Sequence, residues 1–183
     1  MCRYGFSNYK QIWSCFACRK SFKKTNFIDY LSQTNQLETY RRLARSRKES
    51  EKLQAQERYG TTEAAIEAEY YQKISICPDC GGPMANMGMD FKSPKMSDTR
   101  VWKIIAGMHK IGAIFQTCGC EGIGFVPASR SEYIAYLQDK IDAFSARMRQ
   151  AQEDAELNAY QRSEQVSYWE AKRSWVAKVL EAV

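Results

Sequence analysis

Long hydrophobic runs are missing from this chain of 183 residues. Its longest apolar stretch, residues 101–115, is interrupted by Lys103, His109 and Lys110. It is too short and too polar to span a bilayer, which takes about 20 apolar residues. The first 13 residues lack the apolar core and the small-residue cleavage motif of a secretory signal. We therefore expect a cytoplasmic protein with no membrane partner.

Histidine is nearly absent, because His109 is the only one. Most acid–base and nucleophilic sites use a histidine paired with a second reactive group. The sequence also lacks a glycine-rich phosphate loop, a GxSxG nucleophile motif and an HExxH zinc-protease motif. These absences argue against an enzyme, and nothing in the sequence predicts a small-molecule substrate.

Glycine and proline, the two residues that most strongly disfavour a helix, do not occur between residues 129 and 183. From Ile134 to Ala155, apolar residues recur at alternating steps of three and four, as in a coiled-coil seam. The seam resumes at Ala159 after an extra step of four, which predicts either a stutter or a break between two helices. We expect a long C-terminal helix or a helical hairpin that binds a protein partner or a second copy of the chain.

Cysteine, in contrast, is abundant, with seven residues of which six form three close pairs. In a chain without a secretory signal, close pairs indicate metal ligands rather than disulfides. Zinc prefers four tetrahedral ligands, which two CxxC turns can supply together. Each of the two CxxC turns follows a short segment with apolar or aromatic residues, QIWS or KISI. The spacing therefore predicts a Zn²⁺ ion bound by Cys15, Cys18, Cys77 and Cys80.

A second ligand set competes with this one. Cys77 and Cys80 also close a shorter loop with Cys118 and Cys120, although a CxC pair is a rarer zinc ligand than CxxC. Alternatively, the CGC turn supplies redox or nucleophilic thiols, or simply two unreactive thiols. Cys2 is expected to be a plain thiol.

The stretches WSCFACRKSFKK and ICPDCGGPMANMGMDFKSPK resemble the zinc-ribbon class, in which two knuckle hairpins hold one metal. They are similar in particular to a group of uncharacterised bacterial zinc-ribbon proteins. The resemblance covers about two-thirds of the chain, up to about Pro127, and it implies a fold and a metal but no activity. One departure is the long gap between Cys18 and Cys77, which a helical insertion must fill.

These observations predict an α+β fold. We expect a zinc-binding domain over residues 1–127, with zinc-ribbon-like knuckle hairpins and a helical insertion at about 36–73, followed by a coiled-coil-like helical region over 128–183. Within the first domain, residues 74–76 are predicted as a short strand and residues 82–95 as a loop rich in Gly, Met and Pro. Ser97 or Asp98 caps the next helix, and two further strands flank the CGC turn.

The net charge of +6 permits an acidic partner without requiring one. Basic residues alternate with aromatic ones near the CxxC turns, a combination suited to phosphate contact and base stacking. The leading hypothesis is a non-catalytic, zinc-stabilised protein that binds another macromolecule, including nucleic acid. The alternatives are a protein-binding adaptor or immunity-type inhibitor of a toxin or enzyme, and a thiol redox enzyme. The candidate nucleic-acid contacts are Arg19, Lys20, Lys23, Lys24, Lys92 and Lys95.

Overall fold

The computed structural model describes residues 10–45, 48–113, 115 and 126–183. Within these residues the fold is mixed α+β, as predicted, with seven helices and one three-stranded antiparallel sheet. By its internal contacts the chain forms two compact units. The first unit comprises Met1–Met96 with Ile114–Gly124, and the second comprises Ser97–Ala113 with Phe125–Val183.

The sheet of the first unit has the strand order β2-β1-β3. Strands β1 (Gln11–Cys15) and β2 (Lys20–Lys24) form the hairpin predicted around the first CxxC turn, with Trp13 opposite Phe22. Strand β1 is central and its last three residues are buried, whereas β2 lies at the edge and all its residues are exposed or half-buried.

The third strand, β3 (Ala85–Gly88), lies inside the segment predicted as a loop, so that part of the prediction is wrong. It pairs antiparallel with β1, and the register shifts between Ile12 and Trp13. The sequence ANMG has low strand propensity, but pairing with β1 and complete burial of Met87 outweigh local preference here.

Four helices fill the gap between the two CxxC turns, and this insertion extends beyond the predicted limits of 36 and 73. Asn26 caps the first helix by accepting a hydrogen bond from the Asp29 N–H, and Thr62 caps the last by accepting one from Ala65. Gly60 ends the third helix in the left-handed conformation, with φ of 62°. The helices are α1 (Phe27–Gln33), α2 (Leu37–Arg45), α3 (Glu49–Tyr59) and α4 (Glu63–Ile74).

Residues 74–76 do not form the predicted strand. Helix α4 continues to Ile74, because Tyr70 and Ile74 lie one turn apart and both enter the same buried cluster. Only Ile76 makes a strand-like contact, an isolated antiparallel bridge to Pro83 across the second CxxC turn.

The second unit is helical in the part that the structure describes. Helix α5 (Thr99–Lys110) is capped by Asp98, one of the two predicted caps, and it buries Trp102, Ile104, Ile105 and Met108. The predicted seam breaks into two helices packed on each other, α6 (Arg130–Glu153) and α7 (Ala159–Glu181). The second of the two predicted forms, a helical hairpin, is therefore the one observed.

The division of the chain places α5 with the C-terminal helices, whereas the predicted boundary places it in the domain of residues 1–127. The predicted strands that flank the CGC turn fall mostly outside the described residues, and Cys2, Cys118 and Cys120 lie outside them too. No helix in the described ranges combines the length and the apolar character needed to cross a membrane.

Candidate metal centre

Four cysteine thiols converge where the two CxxC turns meet. The Sγ atoms of Cys15, Cys18, Cys77 and Cys80 all lie within 4.8 Å of one another, close enough to hold one metal ion. Two separations across the turns are 3.7 Å, from Cys15 to Cys80, and 4.0 Å, from Cys18 to Cys77. Zinc bound tetrahedrally at about 2.3 Å from each sulfur places neighbouring sulfurs about 3.8 Å apart. These distances therefore suit ligands of a shared ion, and they are far longer than a disulfide of about 2.05 Å.

Backbone N–H groups donate hydrogen bonds to cysteine sulfurs in both CxxC turns. The Cys18 N–H donates to the Cys15 sulfur and the Gly82 N–H donates to the Cys80 sulfur, each at 3.4 Å. Arg19 and Gly81 each follow the second cysteine of a turn, and both have left-handed backbone, with φ of 55° and 69°. The same local conformation thus recurs in both turns, although only one of them has glycine there.

A small hydrophobic cluster contains two of the four cysteines. Cys15 and Cys77 are almost fully buried, and they pack with Trp13, Tyr70 and Met84. Cys18 is half-buried and Cys80 is exposed, so the site opens to solvent on one side only. Because the cluster joins β1 to the end of α4, an ion bound here would connect the hairpin to the helical insertion.

Ionisation of the four thiols is interdependent. The hydrogen bond with the Cys80 thiol, with a smaller contribution from burial, raises the pKa of Cys18 to about 12. Burial also raises the pKa of Cys15. Burial disfavours the Cys77 thiolate as well. Nevertheless, the backbone N–H groups of Cys80 and Asp79 outweigh this effect and lower the pKa of Cys77 to about 7. Thiolates this close repel one another, so a cation among them is what allows all four to ionise.

Side chains of the predicted basic group also join the two turns. The Lys20 ammonium donates to the Asp79 carboxylate at 2.5 Å, a contact that raises the pKa of Lys20. The Lys24 ammonium donates to the Ile76 carbonyl at 3.2 Å. Two of the predicted nucleic-acid contacts therefore also hold the hairpin against the second turn. Spacing alone could not predict this, since the partners are more than 50 residues away along the chain.

The remaining basic residues lie in or next to β2 and in a segment that is hydrogen-bonded to it. A hydrogen bond of 3.1 Å from Ser21 to Ser93 links β2 to the residue after Lys92. Arg19 donates through Nε to the Met96 carbonyl at 2.9 Å, next to Lys95. Segment 92–96 therefore runs beside β2, and the six predicted residues occupy two adjoining segments.

The thiol redox alternative and the second ligand set depend on Cys118 and Cys120, which lie outside the described residues. Comparison with protein-family models, with curated proteins and with solved structures finds no match. The role of this centre has therefore to be inferred from its own residues and geometry.

Proposed function

We propose that the four converging cysteines bind one structural Zn²⁺ ion and that the chain is a non-catalytic, zinc-stabilised binding protein. The observation that supports this most strongly is the approach of four thiols to within 4.8 Å from two separate turns. A tetrahedral ion with four protein ligands has no open position for a substrate or a reactive water. Thiolate ligands in this geometry favour zinc or iron over hard cations such as Mg²⁺. The first unit is then a zinc-ribbon-like module.

A structural metal suits the modest sheet on which the site is built. The strands have only five, five and four residues, and the buried cluster beneath the thiols is small. Bound structural zinc contributes roughly 10–16 kcal/mol of apparent binding free energy in small zinc domains. That amount would exceed the net stability of most domains of this size.

Metal analysis of purified full-length protein tests this proposal. We expect one zinc per chain and no visible absorption, whereas iron bound to thiolates would be coloured. Cys15→Ser should release the metal and unfold the first unit, while the matched variant Cys118→Ser should retain both zinc and fold. If zinc survives in Cys15→Ser and is lost in Cys118→Ser, the ligand set with Cys118 and Cys120 is the correct one.

We further propose nucleic acid as the partner of the surface formed by β2 and segment 92–96, called here the basic surface. Its support is the adjacency of these two segments, which brings six cations, including Arg19 just before β2, into neighbouring parts of the first unit. Lys23 and Lys92 are exposed and are therefore available for phosphates. Arg19, Lys20 and Lys24 would shape the surface as well as add charge.

The salt dependence of binding to a labelled single-stranded oligonucleotide tests this assignment. Lys23→Glu with Lys92→Glu should weaken binding and reduce the slope of log K against log salt by about 1.4, the value for two lost phosphate contacts. Lys48→Glu with Lys52→Glu, at the N-cap and in the first turn of α3, provides a control of equal charge and should bind like the wild type. Affinity that does not change with salt would contradict the proposal.

A protein partner is the second candidate, because α7 presents exposed aromatic side chains. Tyr160, Tyr168 and Trp175 are 76%, 54% and 51% exposed, at steps of eight and seven residues that keep them on one side of the helix. Tyrosine and tryptophan are enriched at protein interfaces. This candidate includes the adaptor and the immunity-type inhibitor. Purification from the native host should then recover one stoichiometric companion, and Tyr160→Ser with Tyr168→Ser should release it.

A further inference from the structure

The second unit contains a cavity of about 730 Å³, a volume within the range of small-molecule sites. Its walls come from α5, from the start of α6 and from the last turns of α7, all of which belong to this unit. The sequence predicted no small-molecule site here, because the contributing residues lie up to about 80 positions apart along the chain.

The inner wall of the cavity is apolar and closely packed. Ile104 and Tyr133 are about 95% buried, and Tyr133 lies directly over Gly107. A Cβ atom at Gly107 would come within 2.0 Å of the tyrosine oxygen, so only glycine permits this arrangement. Among the described residues the buried Tyr133 hydroxyl has no hydrogen-bond partner, which leaves one polar atom of this wall unsatisfied.

Trp175 forms a further wall and is held in place. Its indole Nε1–H donates to the Lys110 carbonyl at 2.8 Å, joining α7 to the last turn of α5. About half of the Trp175 side chain stays exposed. The ring is therefore a preformed apolar surface for a ligand rather than a fully buried core residue.

The charged side chains that line the cavity are all cationic. Five cationic residues line it, and no aspartate or glutamate does. Within the described part of the chain none of the five forms an ion pair with an acidic side chain, although Arg130 donates to the backbone oxygen of Val183 at 3.0 Å. Positive charge beside a low-dielectric wall attracts an anion more strongly than the same charge in open solvent. The five residues are Arg100, Lys103, Lys110, Arg130 and Lys178.

We propose that this cavity binds an amphiphilic small molecule with one acidic group. Its acyl or aryl part would lie against Ile104, Tyr133 and Trp175, and its carboxylate or phosphate would be held by the surrounding cations. An apolar interior with convergent charges at its border is how proteins bind such ligands. This site is independent of the metal centre and of the basic surface, since every residue that lines it belongs to the second unit.

Calorimetric titration of the zinc-loaded full chain tests the proposal with ligands of equal chain length. Decanoate and decyl phosphate should bind, and the tighter of the two identifies the headgroup. Uncharged 1-decanol and cationic decyltrimethylammonium should bind at least about tenfold more weakly, because they lose the attraction to the cations. Acetate and inorganic phosphate, which have the headgroup without the chain, should not bind measurably. Equal binding of decanol and decanoate would overturn the proposal.

Matched variants locate the site. Arg100→Glu with Lys103→Glu should weaken decanoate binding at least about tenfold, whereas Arg147→Glu with Arg149→Glu, an equal charge change at exposed positions of α6, should leave it unchanged. Ala106→Phe fills the cavity and should abolish binding, while Ala143→Phe on the exposed side of α6 should not. If a cavity variant and its matched control change the affinity for decanoate equally, the ligand binds elsewhere. If an oligonucleotide binds through Arg100 and Lys103 and decanoate does not, the cavity border serves nucleic acid instead.

Discussion

At the scale of single residues, backbone conformation decides how each CxxC turn presents its sulfurs. Gly81 sits at φ of 69°, in the left-handed region, and a Cβ atom there would meet nothing within 4 Å. Any cost of substitution at this position therefore arises from backbone strain and not from a clash. This makes Gly81 a clean probe of the second turn.

We predict that Gly81→Ala lowers the free energy of unfolding of the zinc-loaded protein by about 1–2 kcal/mol, the cost of the left-handed conformation for a residue with a side chain. Gly81→Asn, which tolerates that conformation better, should cost less than Gly81→Ala. Urea unfolding followed by circular dichroism measures both. An equal cost for the two variants would mean that strain is not the cause.

A second residue, Glu69, ties three parts of the helical insertion together. Its carboxylate accepts hydrogen bonds from Lys73 at 2.8 Å, from Gln36 at 3.1 Å and from Tyr30 at 3.0 Å. These donors, with Lys73 first, lower the pKa of Glu69 to about 2. A carboxylate whose pKa falls on folding stabilises the folded state above its unfolded pKa of about 4.3.

The contribution of Glu69 should therefore be complete above about pH 4.3 and should be lost as the pH falls from there towards 2. Because acid also releases thiolate-bound metal, the useful quantity is the difference in stability between the wild type and Glu69→Gln. We expect this difference to shrink between pH 5 and pH 2, measured by urea unfolding at each pH. A difference that does not change with pH would show that the three hydrogen bonds do not depend on the charge.

At the scale of elements, the loop between α6 and α7 explains why the heptad seam is interrupted. Asn158 accepts a hydrogen bond from the Gln161 N–H at 2.9 Å, and the Gln161 side chain accepts one from the Asn158 N–H at 3.1 Å. Arg162 lies three residues after Ala159, at the next position of the resumed seam, and it donates to the carbonyls of Asp154 and Leu157. Arg162, although charged and in the seam, thus stabilises the loop between α6 and α7.

We predict that Asn158→Ala lowers the free energy of unfolding by about 1 kcal/mol, since the first turn of α7 loses its cap. Asn158→Asp retains an accepting side chain and should be nearly neutral. Thermal unfolding followed by circular dichroism at 222 nm compares the two. Equal melting temperatures for Asn158→Ala and the wild type would indicate that packing between α6 and α7, such as the stacking of Phe144 on Trp169, determines stability alone.

At the scale of the whole molecule, the two units should respond differently to metal removal. The four candidate ligand cysteines belong to the first unit, and the long helices α6 and α7 belong to the second. We predict that a chelator removes the structure of the first unit while most of the helical signal of α6 and α7 persists, as measured by circular dichroism and by amide hydrogen exchange. Re-addition of zinc should restore the lost structure. Simultaneous loss of all helical signal would contradict this.

Much of this architecture follows from local patterns in the sequence. The CxxC spacings, the glycine-free C-terminal region and the helix-capping side chain at Asp98 each depend on a few neighbouring residues, so the hairpin, the candidate ligands and the long helices could be predicted. Strand β3 could not, because its sequence favours a loop and only its pairing with β1 makes it a strand.

The sequence by itself therefore determined which cysteines come in pairs, where the C-terminal helices break, and that the chain is basic. Only the tertiary structure showed that the two CxxC pairs converge, since Cys18 and Cys77 meet through a helical insertion whose folded path no spacing encodes. It also decided that Lys20 and Lys24 contact the second turn, and that the cations of α5 border a cavity with Trp175. The physical reason is the range of the interactions. Helix and strand propensities and helix-capping side chains depend on residues that are close in sequence. Packing and charge, in contrast, act between residues that become neighbours only in the folded chain.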